Sequence, residues 1–392
     1  MWIKRSLEDL AIRIASQFPA MLVTGARQAG KTSLLRHLFP QASYLALDLP
    51  SNAEAAKSAP QALLDRFPEP VVIDEIQYAP ELLRYLKVRI DRDRSPGRFM
   101  LTGSQVFQLM QGVSESLAGR CGVVNLQTLG YEELTAEDPS LKETSYIFLG
   151  GYPELHVGKD PELWFPSYVA TYLERDVRNV LRVVDLQDFN RFIRACALRT
   201  AQVLNYTDIA GDVGISPNTA RKWLSLLQTS AVVALLEPFF GNRTKRLIKA
   251  PKLMFLDTGL AAYLAGFRSE QELFASNYAG AFWESHVFGQ VLRRCAALGV
   301  RVPLYYWRTV SGREVDLVIE ISPGSVIAVE AKWKERPDLD DSAGLRALAS
   351  AEAGRKVEGF LAARTDVAYR LADGTWVTGL KDILDVLSGK FQ

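Results

Sequence analysis

Eight consecutive residues, Gly25-Ala26-Arg27-Gln28-Ala29-Gly30-Lys31-Thr32, carry the most specific chemistry in the chain. They satisfy GxxxxGK[ST], in which glycines let a loop fold closely around phosphates, whose charge is met by amide N–H groups and the positive end of the following helix. In that pattern Lys31 is expected to reach the β- and γ-phosphates and the Thr32 hydroxyl to ligate Mg²⁺, with Ser33 counted in the cofactor-binding stretch. ATP and Mg²⁺ are therefore the expected cofactors. A magnesium ion held this way needs a carboxylate from a second strand, and Val71-Val72-Ile73-Asp74-Glu75 is an apolar run ending in two acids. Asp74 is the expected metal partner, and Glu75 is placed to orient or deprotonate the attacking water. Leu101-Thr102-Gly103-Ser104-Gln105 ends a strand expected beside that one, with Ser104 or Gln105 as a γ-phosphate sensor.

A second group suited to metal chemistry lies nearer the C-terminus. A helix expected over 281–295 sets Glu284 on the stripe of Val287, Phe288, Val291 and Cys295, which turns a carboxylate inward. Tyr305-Tyr306-Trp307-Arg308 and a run starting Glu314-Val315-Asp316 read as paired strands joined through Ser311-Gly312, and a third strand covers 326–333. Alternation puts Glu330 and Lys332 on one face of the third strand and Val329, Ala331 and Trp333 on the other. Asp316 and Glu330-x-Lys332, with Glu284 on a preceding helix, resemble the PD-(D/E)xK restriction-endonuclease-like fold. That resemblance implies Mg²⁺ held by Asp316, Glu330 and the Ala331 carbonyl, completed by Glu284, with Lys332 positioning water or stabilising phosphorane charge. The chain departs from the pattern in carrying Val315, not proline, before Asp316. The alternative for the same side chains is a structural ion-pair network in a non-cleaving version of the fold.

A third group points to nucleic acid. Residues 206–227 read as helix, sharp turn at Gly214 and second helix, with Ser216 as N-cap and Pro217 in its first turn. Ile209, Val213, Ala220, Trp223 and Leu224 would pack the pair together and leave Asn218, Arg221 and Lys222 outward. Arg243, Lys245, Arg246 and Lys249 form a basic cluster on a following wing. A winged helix-turn-helix with its second helix in a groove and its wing on phosphates would use these residues. Protein packing is the alternative role.

The elements that must position these groups are legible as apolar runs. Strands at 21–24, 44–47, 71–73 and 99–102 alternate with helical patterns, which implies a parallel sheet covered by helices. The expected organisation is α/β throughout. A P-loop parallel-sheet domain over 1–135 is followed by a helical connector over 136–200, a winged helix-turn-helix over 201–268 and a restriction-endonuclease-like α/β domain over 269–392. With 46 Lys+Arg against 45 Asp+Glu the chain has no strong overall field, so a polyanion must be met by a local patch. Three cysteines without a CxxC pair suggest neither a zinc site nor a disulfide framework. The charged N-terminal stretch is no secretory h-region, and the apolar run 231–240 is broken by Glu237 and Pro238. No membrane association and a cytoplasmic location are expected.

Lys4-Arg5, the Gly25 octet, Asp74-Glu75-Ile76-Gln77, Leu101-Thr102-Gly103-Ser104-Gln105 and Ser116-Leu117-Ala118-Gly119-Arg120 together resemble a prokaryotic AAA+-type ATPase family. Members of that family carry a C-terminal domain of unknown function. Gly150-Gly151-Tyr152-Pro153-Glu154 and Tyr172-Leu173-Glu174-Arg175-Asp176 extend the resemblance over nearly the whole chain. It implies a ring or other homo-oligomer, with six subunits as the expected count. It also implies an arginine reaching the phosphates from a neighbouring subunit, with Arg120 as the first choice and Arg175 or Arg178 as alternatives. The resulting expectation is an ATP-hydrolysing protein that moves or remodels duplex or branched DNA. Two rivals are a regulatory or signalling ATPase whose C-terminal fold is an inactive protein-interaction module, and a metal-dependent nuclease regulated by ATP.

Overall fold

The structure, a computed structural model, describes all residues except 1, 104–111, 114, 174–185, 240–249 and 392. Its chain divides into two compact units: residues 1–137, 152–157 and 229–231 form the first, and 138–151, 158–228 and 232–392 the second.

The first unit is built on five parallel strands among the described residues: β1 (Ala20–Gly25), β2 (Ser43–Ala46), β3 (Val71–Asp74), β4 (Phe99–Thr102) and β5 (Cys121–Leu126), in the order β2-β3-β4-β1-β5. Every residue of β1, β3 and β4 is buried, as expected of a parallel sheet with helices on both faces. Leu22, Ile73 and Leu101 of the sheet share a core with Leu83, Leu86 and Ile90 of the helix Leu82–Arg92. Register then sets the site. Val23 pairs with Thr102 and Ile73 with Leu101, so the loop after β1, the acids ending β3 and the end of β4 share one edge.

The second unit contains a nine-stranded sheet among the described residues. Its strands are β6 (Gln202–Val203), β7 (Val233–Pro238), β8 (Lys252–Phe255), β9 (Leu304–Arg308), β10 (Glu314–Ser322), β11 (Ser325–Ala331), β12 (Lys356–Ala362), β13 (Tyr369–Arg370) and β14 (Trp376–Thr378). The order is β13-β14-β12-β11-β10-β9-β7-β8-β6. β6, β7 and β8 are antiparallel neighbours beside the helix-turn-helix segment, and β7 continues the sheet by pairing with β9 through Glu237↔Tyr305 and Pro238↔Tyr306. The stretches expected as separate winged-helix and C-terminal domains thus share one sheet. Joining them gives β7 and β9 the backbone partners that two exposed edges would lack. Phe239, just past β7, is fully buried in the core of Trp307, Val315 and Val318.

Within this unit two glycines permit a close approach. Gly150 has φ +79, and a Cβ there would lie 2.2 Å from Asp257 Oδ1; a Cβ on Gly259 would lie 2.1 Å from the Leu149 carbonyl oxygen. The freed space lets Asp257 accept from the Gly151 N–H at 2.9 Å while capping the helix Thr258–Ala265 through the Leu260 N–H at 3.0 Å. No helix of the described residues is long and apolar enough to cross a membrane, and the three cysteines are unbonded.

Candidate functional site

The loop from Gly25 to Gly30 connects buried β1 to the helix Lys31–Leu38. Its backbone needs glycine where it turns: Gly25 has φ +136, and a Cβ there would meet the Leu126 carbonyl oxygen at 2.0 Å. Gly30 (φ 93) and Gln28 (φ 62) are also left-handed. Lys31 is only 5% exposed, and its Nζ donates to the carbonyls of Gly25 at 3.2 Å and Ala26 at 2.8 Å. Burial lowers its pKa to about 8, with Glu75 acting in the opposite sense.

At the same sheet edge, Asp74 is surrounded by hydroxyls. Thr32 Oγ1 donates to Asp74 Oδ1 at 2.8 Å and Tyr44 Oη to Oδ2 at 2.7 Å; Thr102 Oγ1 donates to Oδ1 as well. Thr102 also accepts from the Glu75 N–H at 2.9 Å, so one β4 hydroxyl braces both acids. Glu75 is left-handed (φ 57), which turns the chain sharply after β3, and its carboxylate accepts from the Gln77 amide. The Thr32 hydroxyl and the Asp74 carboxylate are the hard oxygen donors that Mg²⁺ prefers, so the residues fit that ion. Thr32 and Asp74 would hold Mg²⁺ there with a bound nucleotide, the ion would neutralise phosphate charge, and Lys31, the loop amides and Glu75 stand where phosphate binding and a general base would be required.

Behind the loop lies Arg5, 6% exposed. Its Nη1 donates to the Ala29 carbonyl at 3.0 Å, Nη2 to the Gln127 carbonyl at 2.6 Å, and Nε pairs with Glu133 at 3.3 Å. Arg5, Tyr44 and Thr102 received no role from the sequence. For Thr102 the signal was its place at a strand end beside the acids.

Lys31 yields a pH prediction. An ammonium is needed on the phosphates, whereas the nucleotide-free site loses its proton above about pH 8, so binding takes a proton up above that pH and not below it. Nucleotide affinity should fall about ten-fold per pH unit above that value. Titration calorimetry in two buffers of different ionisation enthalpy should show proton uptake near about pH 9 and none near about pH 7; equal heats at the higher pH would contradict it.

The remaining expected residues of this site are placed differently. Ser104 and Gln105 lie outside the described residues, as do Arg175 and Arg178. Arg120 precedes β5, whose first residue pairs with Ala20, so it lies at the sheet edge opposite the Gly25 loop. There its Nε pairs with Asp91 at 2.7 Å and Nη1 donates to the Ala118 carbonyl. Within its own subunit Arg120 therefore does not reach the phosphates.

In the second unit, the helices Tyr206–Val213 and Pro217–Thr229 are joined through Gly214 at φ 84. Asn205 caps the first through the Thr207 N–H, and Ser216 Oγ accepts from the Thr219 N–H at 3.1 Å. Ile209, Val213, Ala220, Trp223 and Leu224 are buried, while Asn218, Arg221 and Lys222 are exposed. The Arg221 guanidinium lies over the Tyr206 ring at 4.9 Å. Arg243, Lys245, Arg246 and Lys249 lie outside the described residues.

Two of the four C-terminal side chains, Glu284 and Asp316, meet at a buried lysine outside the expected set, while Glu330 and Lys332 pair with each other. Lys252 of β8 is 2% exposed; its Nζ donates to Glu284 at 2.6 Å and to Asp316 at 3.2 Å and is ion-paired with Glu314. Burial disfavours its charge, but the three carboxylates, Glu284 foremost, hold its pKa well above the ordinary lysine value. Burial and the Asp316 charge push Glu284 well above the carboxylate range, against the pull of Lys252. Asp316 Oδ2 accepts from the Ala331 N–H at 2.9 Å, and Lys332 Nζ pairs with Glu330 at 2.8 Å. Burial, then Asp316, raises Glu330 to about 8. The restriction-endonuclease-like pattern implies a divalent ion here, and these residues do not fit one. Each carboxylate already has an ammonium, and among the described residues no three His, Cys, Asp or Glu side chains form a metal shell.

Sheet, loop and acids together define the first unit as a P-loop ATPase domain. A family described as AAA domain matches residues 17–135, and two described as Domain of unknown function (DUF8612) and Domain of unknown function (DUF4143) match 142–271 and 279–383. Two curated relatives are 33% identical over 335 residues, 84% of this chain and 74% of each relative. They are described as Uncharacterized protein Rv2008c of Mycobacterium tuberculosis and Uncharacterized protein Mb2031c of Mycobacterium bovis. The chain belongs to their family, an AAA-type P-loop ATPase family with a DUF4143 region at the C-terminal end. Among solved structures, a Walker-type ATPase of Pyrococcus abyssi is 18% identical, covering 67% of this chain and 96% of that one at a TM-score of 0.44. RuvB of Thermotoga maritima is 17% identical, covering 58% and 86% at 0.31.

Proposed function

We propose that this protein hydrolyses ATP with Mg²⁺ at the Gly25 loop and couples turnover to contact with duplex or branched DNA, as a homo-oligomer in which a neighbour's arginine completes the site. The observation that carries the first half is the convergence of Lys31, Thr32, Asp74 and Glu75 on one sheet edge. Support for the second half is the outward face of Asn218, Arg221 and Lys222 on the second helix of a capped helix-turn-helix, the geometry with which such helices enter a groove. The basic segment at Arg243, Lys245 and Arg246 would supply phosphate contacts.

The test measures ATPase rate with and without duplex, single-stranded and branched DNA, for the wild type and for an Arg221→Ala, Lys222→Ala double variant. The wild-type rate should rise with DNA, and the double variant should bind DNA about ten-fold or more weakly while keeping its DNA-free rate. Equal wild-type rates under all conditions would reject the coupling. For the C-terminal region a second reading, a non-cleaving interaction module on a nuclease-like fold, is favoured by the ammonium inside its carboxylate cluster.

A further inference from the structure

We infer that Lys252 is the resident cation of the C-terminal carboxylate centre, an internal ammonium standing where a restriction-endonuclease-like fold would hold a divalent ion. The centre is then metal-free as built.

Three observations carry this. First, Lys252 Nζ lies at hydrogen-bonding distance from Glu284 on the helix Ala279–Leu298 and from Asp316 on β10, and it also pairs with Glu314 of β10. Those are contacts a bridging cation would make, and they come from two separate elements. Second, the lysine is 2% exposed and its stem runs from a strand whose four residues are all buried, so it is no surface lysine folded over a groove. A buried ammonium is tolerated only with carboxylates around it, and buried carboxylates only with a cation; each explains the other. Third, the remaining acid is engaged separately. Glu330 Oε1 is paired with Lys332, while its buried Oε2 has no hydrogen-bond partner and faces Gly344, where a Cβ would lie 3.5 Å from it. The four carboxylates are therefore shared between two ammonium groups and are not gathered into one metal shell.

The placement has a structural role. Lys252 belongs to β8, beside the helix-turn-helix, and its partners belong to the C-terminal α/β region. A loose metal would leave that junction dependent on ion supply; a covalently attached cation makes it permanent.

The test uses the full-length protein without nucleotide, so that the Gly25 loop holds no magnesium, with Mn²⁺ as the probe in spin-resonance titration and thermal melting. Wild type should bind no Mn²⁺ through these carboxylates, so Asp316→Asn should leave its Mn²⁺ titration unchanged. Lys252→Ala, which removes the ammonium and opens its space, should lower the melting temperature by about 6–20 °C. Mn²⁺ should restore part of that loss, and adding Asp316→Asn should abolish the rescue. Lys252→Met, which fills the space with an apolar stem, should melt early without rescue. The inference is overturned if wild type binds one Mn²⁺ that Asp316→Asn removes, or if Lys252→Ala melts as wild type does. The wild-type titration decides the matter even if the lysine variants fail to fold.

Discussion

With Glu75→Gln, hydrolysis should stall while nucleotide binding persists: kcat should fall about 10²–10⁴-fold, the range for removing a positioned general base. Glu75 follows Asp74 on the edge shared with Lys31, and its left-handed backbone and the Thr102 brace fix where the carboxylate emerges. Glutamine keeps the length and the hydrogen-bonding shape but cannot take the proton of an attacking water. Nucleotide affinity should fall only modestly, because Thr32 and Asp74 are untouched and the lost Glu75 charge acts on Lys31 by lowering its pKa further. Single-turnover hydrolysis and equilibrium binding of a fluorescent ATP analogue separate the two quantities. A Gln variant that turns over at the wild-type rate would remove Glu75 from the chemistry.

Arg5→Ala should weaken the fold and the phosphate loop together, costing about 3–5 kcal/mol, the usual penalty for breaking a buried ion pair. Ala29 and Gln127 would lose their guanidinium donor, and Glu133 would keep only the N–H groups of Ser6 and Gly130. Arg5→Lys should recover part of the stability, since an ammonium pairs with Glu133 but cannot reach both carbonyls as a planar fork does. Arg5 acts through the loop backbone, holding the Ala29 carbonyl next to Gly30. Its loss should therefore raise KM for ATP more than it lowers kcat. Thermal unfolding with steady-state kinetics on both variants checks this. An Ala variant with unchanged melting and unchanged KM would show the contacts to be idle.

These cases show where the sequence was legible. The phosphate loop and the acids ending β3 were readable because each is a short contiguous pattern whose chemistry depends on its own spacing. β1, β3 and β4 were readable because burial on both faces leaves an unbroken apolar run. Arg5 took no role because its partners lie 24, 122 and 128 residues away, and no local spacing marks such a guanidinium as buried. Lys252 was harder still. It follows the basic run at 243–249 and resembles a surface cation of a wing, while its partners Glu284 and Asp316 are 32 and 64 residues distant. The acids were noticed because their spacing fits a known pattern; the cation among them belongs to no pattern. The boundary expected at 268 falls inside a single compact unit for a similar reason, since the pairing of β7 with β9 joins residues far apart in the chain.

The chain crosses repeatedly between its two units, with residues 152–157 and 229–231 returning to the first after it has already been left at 137. For a protein made from its N-terminus this fixes an order of events. The sheet of the ATPase unit is complete in sequence at Leu126, whereas the last residues of that unit end at 231, a delay of roughly 5–20 s at ordinary rates of synthesis. By then about a third of the second unit, residues 138–151 and 158–228, has also emerged. The residues of the two units alternate along the chain, so neither could be traded to another protein by a single joint in the gene.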